Sequence, residues 1–299
     1  PLRDYAGKKF DLEFVKIELG EPKFNEHYAK ANKLTYDVPL RALVRVKNKM
    51  LQSVKEQEIF LADFPLMTEH GTFIINGVER VIVPQLARSF GVFFTGQEIK
   101  GKKYFGAKII PSRGAWIEIE MDPDGGIYVR IDRKRKFPAT SLLRVLGAKF
   151  DKDMYALLKN ADMGKQTLDV LLSKDPAKTM EDAYVEIHKK LRDGDLATPD
   201  NAREYVNSIF NEERYDLSKV GRYRFNQRFS KSLDEKEVNR KTLSLDDLVT
   251  ILAHVLKLQH TPGSVEDDID HLGSRRVRYI GEMLQQRLRV GMSHMKRNI

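Results

Sequence analysis

Residues 116–121 and 127–132 alternate apolar and polar side chains on either side of the loop Asp122-Pro123-Asp124-Gly125-Gly126. Side chains leave a strand on its two faces in turn, so the pattern calls for an antiparallel hairpin with one buried face. That face holds Ile117, Ile119, Met121, Ile127, Val129 and Ile131. If the loop is those five residues, Met121 lies opposite Ile127, Glu118 opposite Arg130 and Trp116 opposite Asp132. The only tryptophan then falls on the polar face, beside a carboxylate and just before the run Arg133-Lys134-Arg135-Lys136. Two uses compete for such a residue. Either another segment covers it and makes it core, or its indole is a platform on which a nucleobase stacks.

Strand signals also fill the first third of the chain. Phe73-Ile74-Ile75 and residues 78–83 flank Asn76-Gly77, the pair a two-residue type I′ turn favours because both positions need positive φ. Residues 42–46 and 58–62 read as short strands punctuated by Pro39 and Pro65. From 139 to 258 the texture is helical. One helix follows Thr140 and ends at Gly147, and Thr179, helped by Glu181 and Asp182, caps another over 180–191. Thr198-Pro199 opens a third to about Phe210, and Ser244 a fourth with apolar spacing through Leu248, Ile251, Leu252, Val255 and Leu258. Residues 214–241 are basic and less regular, and a last helix runs from about Arg276 with Ile280, Met283, Leu284 and Leu288 on one side. At 299 residues the chain is longer than a usual single domain, so the expected fold is α+β in two domains.

Charge narrows the partners. Lys and Arg number 52 against 43 Asp and Glu, and they bunch. Arg130, Arg133, Lys134, Arg135 and Lys136 form one cluster; Arg222, Arg224, Arg228 and Lys231 alternate with Tyr223, Phe225 and Phe229; Arg275, Arg276 and Arg278 form a third; and Arg287, Arg289, Lys296 and Arg297 a fourth. Any one could be a solvated face, but four, two of them with aromatics close by, favour a nucleic acid. Cysteine is absent, which excludes disulfides, thiolate zinc sites and a cysteine nucleophile. No apolar run approaches the ~20 residues that span a bilayer, and the first four residues are not a signal peptide, so a cytoplasmic protein is expected. The opening on Pro1 and the stop at Ile299 inside a basic helical pattern suggest a piece of a longer polypeptide.

Catalytic motifs mostly fail on inspection. Residues 96–103 approach a phosphate-binding loop, but Lys103 stands where the Mg²⁺-binding hydroxyl belongs. Asp122, Asp124 and Gly126 resemble the start of a calcium loop whose twelfth position, Arg133, lacks the bidentate glutamate. Glu266, Asp267, Asp268 and Asp270 with His271 are the one candidate for metal-assisted phosphodiester chemistry, although they are nearly consecutive instead of drawn from separate elements. A stand-alone Mg²⁺-dependent nuclease using Asp267, Asp268 and Asp270 is therefore the alternative to a binding function.

Several strings together resemble the β subunit of bacterial RNA polymerase. They are Pro65-Leu66-Met67-Thr68 with residues 71–83 (GTFIINGVERVIV), residues 111–116 (PSRGAW), 129–136 (VRIDRKRK), 214–222 (RYDLSKVGR) and 267–278 (DDIDHLGSRRVR). They fall in the family's order across essentially the whole chain. The resemblance implies the N-terminal part of β: a protrusion over 1–105 and 272–299, interrupted by a lobe over 106–271. Catalysis in that family belongs to a Mg²⁺-binding aspartate motif on the partner β′ subunit, so no catalytic residue, metal or cofactor is implied here.

What the resemblance does imply is binding to the non-template strand of the transcription bubble and to downstream duplex DNA. Arg88, Ile269, Asp270 and Arg275 match a pocket for an unstacked guanine, Trp116 and Asp132 match a base-stacking pair, and Arg133 and Lys134 lie beside that pair. Val54-Lys55-Glu56 matches a strand that receives the transcription-repair coupling factor and CarD-like regulators by β-augmentation. The other implied partners are the β′, α and ω subunits and a sigma factor, and the implied setting is the nucleoid in the cytoplasm. If that strand were the whole function, the chain would be a plain protein-interaction module. Two positions depart from the family's S-Q-L-x-R-S-P-G-V turn. Pro84 replaces serine and removes a backbone donor; Phe90 replaces proline and frees φ there, so Arg88 is aimed differently.

Overall fold

A computed structural model describes residues 2–4, 8–159, 165–195 and 197–298; the ends Pro1 and Ile299 lie outside the described residues. The fold is α+β, in two compact units: residues 1–87 with 277–299, and residues 88–276.

The first unit is built on β1 (Leu2–Arg3), β2 (Phe10–Leu19), α1 (Glu26–Ala31), β3 (Asp37–Asn48) and β4 (Ser53–Pro65). The four strands form an antiparallel sheet in the order β1-β2-β3-β4. Alternation sorts its faces. Ala42 and Val44 are buried on one, while the other carries Arg45 bonded to Glu56 at 2.6 Å and near Glu13 at 3.7 Å, and Arg41 to Glu58 at 3.0 Å. Both strands run well beyond the short segments legible in the sequence. Pro39 does not break β3. Its carbonyl accepts from Gly20 N–H, so its donor-less nitrogen faces the side where β2 has already ended, and a bulge follows at Leu40/Arg41.

Next come β5 (Phe73–Ile75) and β6 (Val78–Arg80), with Ile75 opposite Val78. Asn76 (φ 52°) and Gly77 (φ 78°) form the anticipated turn. Glycine is required at 77 twice over, since a Cβ there would lie 2.6 Å from Lys33 Cα. The ladder stops at Arg80, short of the expected Val83.

β7 (Gln85–Arg88) leads into the second unit, where β8 (Gly91–Ile99), β9 (Lys102–Ile110), β10 (Ile117–Met121), β11 (Ile127–Ile131) and β12 (Phe137–Pro138) form an antiparallel sheet in the order β12-β11-β10-β9-β8. The register of β10 and β11 matches the sequence reading, with Met121 opposite Ile127 and Glu118 opposite Arg130. The domain boundary implied at 105/106 falls inside β9, where Gly106 pairs with Thr95 on one side and Glu120 on the other.

The buried face of this sheet packs on α2 (Ala139–Leu146), α5 (Met180–Leu191) and α9 (Leu245–His260). Between them lie α3 (Asp151–Lys159), α4 (Lys165–Ser173), α6 (Pro199–Ile209), α7 (Ser218–Arg228) and α8 (Glu235–Val238). Ile117, Ile119, Ile127, Val129 and Ile131 meet Leu142, Leu143, Ile187 and Ile251 in one core. The capping residues read from sequence hold: Thr179 with Asp182 and Ser244 with Asp247 form reciprocal capping boxes, and Thr198 accepts from Asn201 N–H.

Two expectations need correction. Residues 218–228, read as irregular, are α7, whose buried side includes Arg222 and Asn226 and so lacks an apolar stripe. Residues 276–278, read as the start of a helix, belong to β13 (Arg275–Arg278), paired with β7. The helix α10 begins at Ile280 and runs to Asn298, with no buried residue and Leu288 exposed.

Candidate nucleic-acid interface

Trp116 sits at the mouth of the β10–β11 hairpin and extends the ladder by one residue pair. Its N–H donates to the Asp132 carboxylate at 2.9 Å, and Asp132 N–H donates to the Trp116 carbonyl at 2.9 Å. Asp132 (φ 49°) and Arg133 (φ 59°) turn the chain sharply at this point. The indole is half-buried and is no member of the hydrophobic core, while Asp132 is exposed. The approach to Trp116 is fixed from below. Ser112 and Arg113 exchange backbone hydrogen bonds with Asp216, and Arg113 Nη2 reaches the Glu212 carbonyl at 2.9 Å. Gly114 (φ 110°) passes so close to Arg214 and Tyr215 that a Cβ would stand 2.9 Å from both. Two strings far apart in sequence thus clasp each other to present the tryptophan.

The second group of predicted residues lies along the loop after α9. Asp267 docks this loop on β8, an edge strand. Its N–H donates to the Phe94 carbonyl at 2.9 Å, and its Oδ2 accepts from Phe94 N–H at 2.8 Å and from Arg228 Nη1 at 2.7 Å. At the next residue, Asp268 Oδ1 accepts from the N–H groups of Asp270 and His271, at 2.9 and 3.1 Å. Ser89 N–H donates to the Ser274 carbonyl at 2.9 Å, which places the Arg88 turn beside Arg275. Ile269 and Arg88 are half-buried; Asp270 and Arg275 are exposed. The structure therefore brings Trp116 together with Asp132, and the Arg88 turn together with the 269–275 loop. Among the described residues no hydrogen bond or ion pair joins the two groups. At the departure from the family pattern, the Phe90 ring lies under the Arg276 guanidinium at 4.0 Å.

The basic clusters divide on inspection. Arg130 bonds Glu120 at 3.0 Å, Arg135 pairs with Asp193 at 3.1 Å and Lys136 with Asp122, leaving Arg133 and Lys134 exposed without a carboxylate partner among the described residues. The Arg222–Lys231 cluster is largely structural, which corrects its reading as a nucleic-acid patch. Arg222 is fully buried and donates to Asp247 at 2.7 Å and to the carbonyls of Thr242 and Arg240 at 2.6 and 3.2 Å. Burial pushes the Asp247 carboxyl up, but the Arg222 charge and the Ser244 N–H outweigh it and leave it below the ordinary range. Phe225 and Phe229 pack inward, and Lys231 pairs with Asp246. Burial lowers the pKa of His254, packed edge-on against Phe94, with Arg228 adding to the effect.

The nuclease alternative finds no support. The Asp267 carboxylate is taken up by Phe94 and Arg228, that of Asp268 caps its own loop, and among the described residues no group of three acidic or histidine side chains could hold a metal. Sequence reasoning did not foresee that Asp267 is a docking residue, nor that Arg224 stands over the Phe93 ring at 5.5 Å. Apart from the i, i+2 alternation of Arg222 with Arg224 on what proved to be a helix, nothing local distinguishes the buried arginine from the open one. In the first unit, Val54, Lys55 and Glu56 lie exposed on β4, which among the described residues is an edge strand of its sheet.

The chain is thus a two-unit α+β fold with exposed cations, a half-buried tryptophan outside the core and an ordered polar loop. Residues 92–278 match the family described as RNA polymerase Rpb2, domain 2, and the chain belongs to that family. It is 41% identical over 302 residues to the DNA-directed RNA polymerase subunit beta of Syntrophomonas wolfei, covering 99% of this chain and 26% of that protein. The subunit of the same description from Listeria innocua is 38% identical over 380 residues, covering 99% and 32%. The resemblance read from the motifs is thus borne out, and the chain spans 26% to 32% of the length of these curated relatives. Among the described residues no helix is long and apolar enough to cross a membrane.

Proposed function

We propose that the chain acts as the non-catalytic N-terminal part of a bacterial RNA polymerase β subunit, holding separated DNA strands and docking regulators. On this reading it works in the cytoplasm, at the nucleoid, with β′, α, ω and sigma as partners, and the catalytic Mg²⁺ sits on β′. Trp116 stacks on a non-template base with Asp132 fixing its backbone, and Arg133 and Lys134 hold nearby phosphates. Arg88, Ile269, Asp270 and Arg275 receive an unstacked guanine, whose O6 and N7 suit an arginine and whose N–H groups suit a carboxylate. The observation that carries the reading is the reciprocal Trp116–Asp132 hydrogen-bonded pair, which holds a half-buried indole outside the core, followed in sequence by Arg133 and Lys134, which have no carboxylate partner among the described residues. The free edge at Val54, Lys55 and Glu56 supports a docking strand for a coupling factor or a CarD-like regulator.

Because Trp116 is the only tryptophan, its emission reports on the site directly. Single-stranded oligonucleotides should quench it more than duplex does, and Arg275→Ala should weaken a preference for guanine-containing strands. An emission that no oligonucleotide changes would remove the stacking role. Regulator binding that is lost with Glu56→Arg, without any salt-dependent DNA affinity, would leave only the interaction module.

A further inference from the structure

A cleft of about 430 Å³ opens within the second unit, lined by residues 90–93, by Arg224, Gln227 and Arg228 of α7, and by Asp267, Asp268, His271 and Ser274 of the loop. That volume falls within the roughly 300–1,000 Å³ of small-ligand sites. Its acceptors and donors are unequally matched. Asp267 is neutralised by Arg228 and bonded to Phe94 N–H, and Asp268 is turned onto two backbone N–H groups. Arg224, by contrast, has no carboxylate partner among the described residues; it only covers the Phe93 ring. The Gln227 amide and the Ser274 hydroxyl likewise make no hydrogen bond within the described residues. His271 Nδ1 accepts from Gly273 N–H at 3.0 Å, so in the neutral ring the proton sits on Nε2, which remains a donor. With Asp267 Oδ2 and Asp268 Oδ1 each engaged, Arg224, the Gln227 amide, the Ser274 hydroxyl and His271 Nε2 are left able to donate to an acceptor-rich anion.

We infer that this cleft binds a backbone phosphate of a single DNA strand, with Arg224 as its anchor and Gln227, Ser274 and His271 as supporting donors. The inference rests on the function proposed above, because the loop that forms one wall also carries Asp270 and Arg275. It adds a phosphate contact behind the proposed base pocket, on residues that the Trp116 site does not use. The Arg224 guanidinium, held over the Phe93 ring at 5.5 Å, carries a fork of N–H groups that suits two phosphate oxygens at once.

The test uses whole polymerase assembled with altered β subunits on promoter DNA. A photoreactive amino acid at Gln227 should cross-link to one strand of the opened region, as should one at Lys134 for the proposed Trp116 neighbourhood. Arg224→Gln should reduce the slope of log binding constant against log salt by about one, and Arg224→Lys should restore most of it, since neutralising one phosphate contributes about that much. A cross-link from 134 but none from 227, with an unchanged slope in Arg224→Gln, would overturn the cleft and leave the proposed function standing. No cross-link from either position would overturn both. If a nucleoside triphosphate suppressed the 227 cross-link while the enzyme stayed on DNA, the ligand would be a free nucleotide, and the inference would also fall.

Discussion

Arg222 and Arg224 are two residues apart on α7 and should behave as opposites. Arg222→Met removes a guanidinium that is fully buried and makes hydrogen bonds to Asp247, Thr242 and Arg240. Breaking a buried pair by removing one partner costs roughly 3–5 kcal/mol, because the other charge is left uncompensated. Asp247 keeps Arg240 Nη2 at 3.0 Å and the Ser244 N–H at 3.0 Å, so the low end applies, about 3 kcal/mol. At about 2–4 °C per kcal/mol for a unit of this size, Tm should fall by about 6–12 °C in calorimetry or circular dichroism. Asp247 is held below its ordinary pKa in the folded state, so its contribution is present above the usual carboxylate range and fades as pH falls through the depressed value. Arg222→Met should flatten that acid-side loss. Arg224→Met, on a half-exposed side chain without an ion pair among the described residues, should move Tm by no more than roughly 2 °C while weakening DNA binding. If Arg222→Met left Tm within roughly 2 °C of the parent, or lowered the salt dependence of DNA binding as Arg224→Gln should, the division into core and surface arginines would be wrong.

Other outcomes follow from the same contacts. Gly114→Ala places a Cβ 2.9 Å from Arg214 and Tyr215 at φ 110° and should cost about 1–3 kcal/mol, with a shift in Trp116 emission as its local signature. His254 is faced by Phe94, Phe229, Arg228, Lys257 and Asp267, and its folded pKa lies below 6.5. The unfolded chain therefore binds the extra proton first, and stability should decline as pH falls below about 6.5; His254→Phe should remove that part of the decline in Tm measured across pH.

What was legible in the sequence was what local physics decides. The 116–132 hairpin was readable because a period of two and a turn-rich loop leave one register, and Thr179, Thr198 and Ser244 were readable because a cap acts within three residues. What escaped depended on distant partners. Nothing near Arg222 announces that Asp247 will neutralise it, so from sequence a buried arginine reads as part of a surface patch and its helix as irregular. Asp267 meets Phe94 across 173 positions of sequence, so it read as one more acidic residue in a possible metal cluster. β13 looked like the start of a helix because its pairing with β7 is equally remote. The residues assigned to DNA came from the resemblance; the structure contributes the contacts that orient them.

The Asp267–Phe94 contact has a consequence for how the sheet meets its surroundings. β8 is an open edge, and an open edge invites a stray strand from another molecule. Asp267 occupies both backbone groups of Phe94 in the manner of a single-residue strand, one with its own N–H and one with its side chain. The loop is thus also a plug. Any rearrangement large enough to lift it from β8 uncovers two unpaired backbone groups in the middle of that edge, so the order of the loop and the solitude of the sheet rise and fall together.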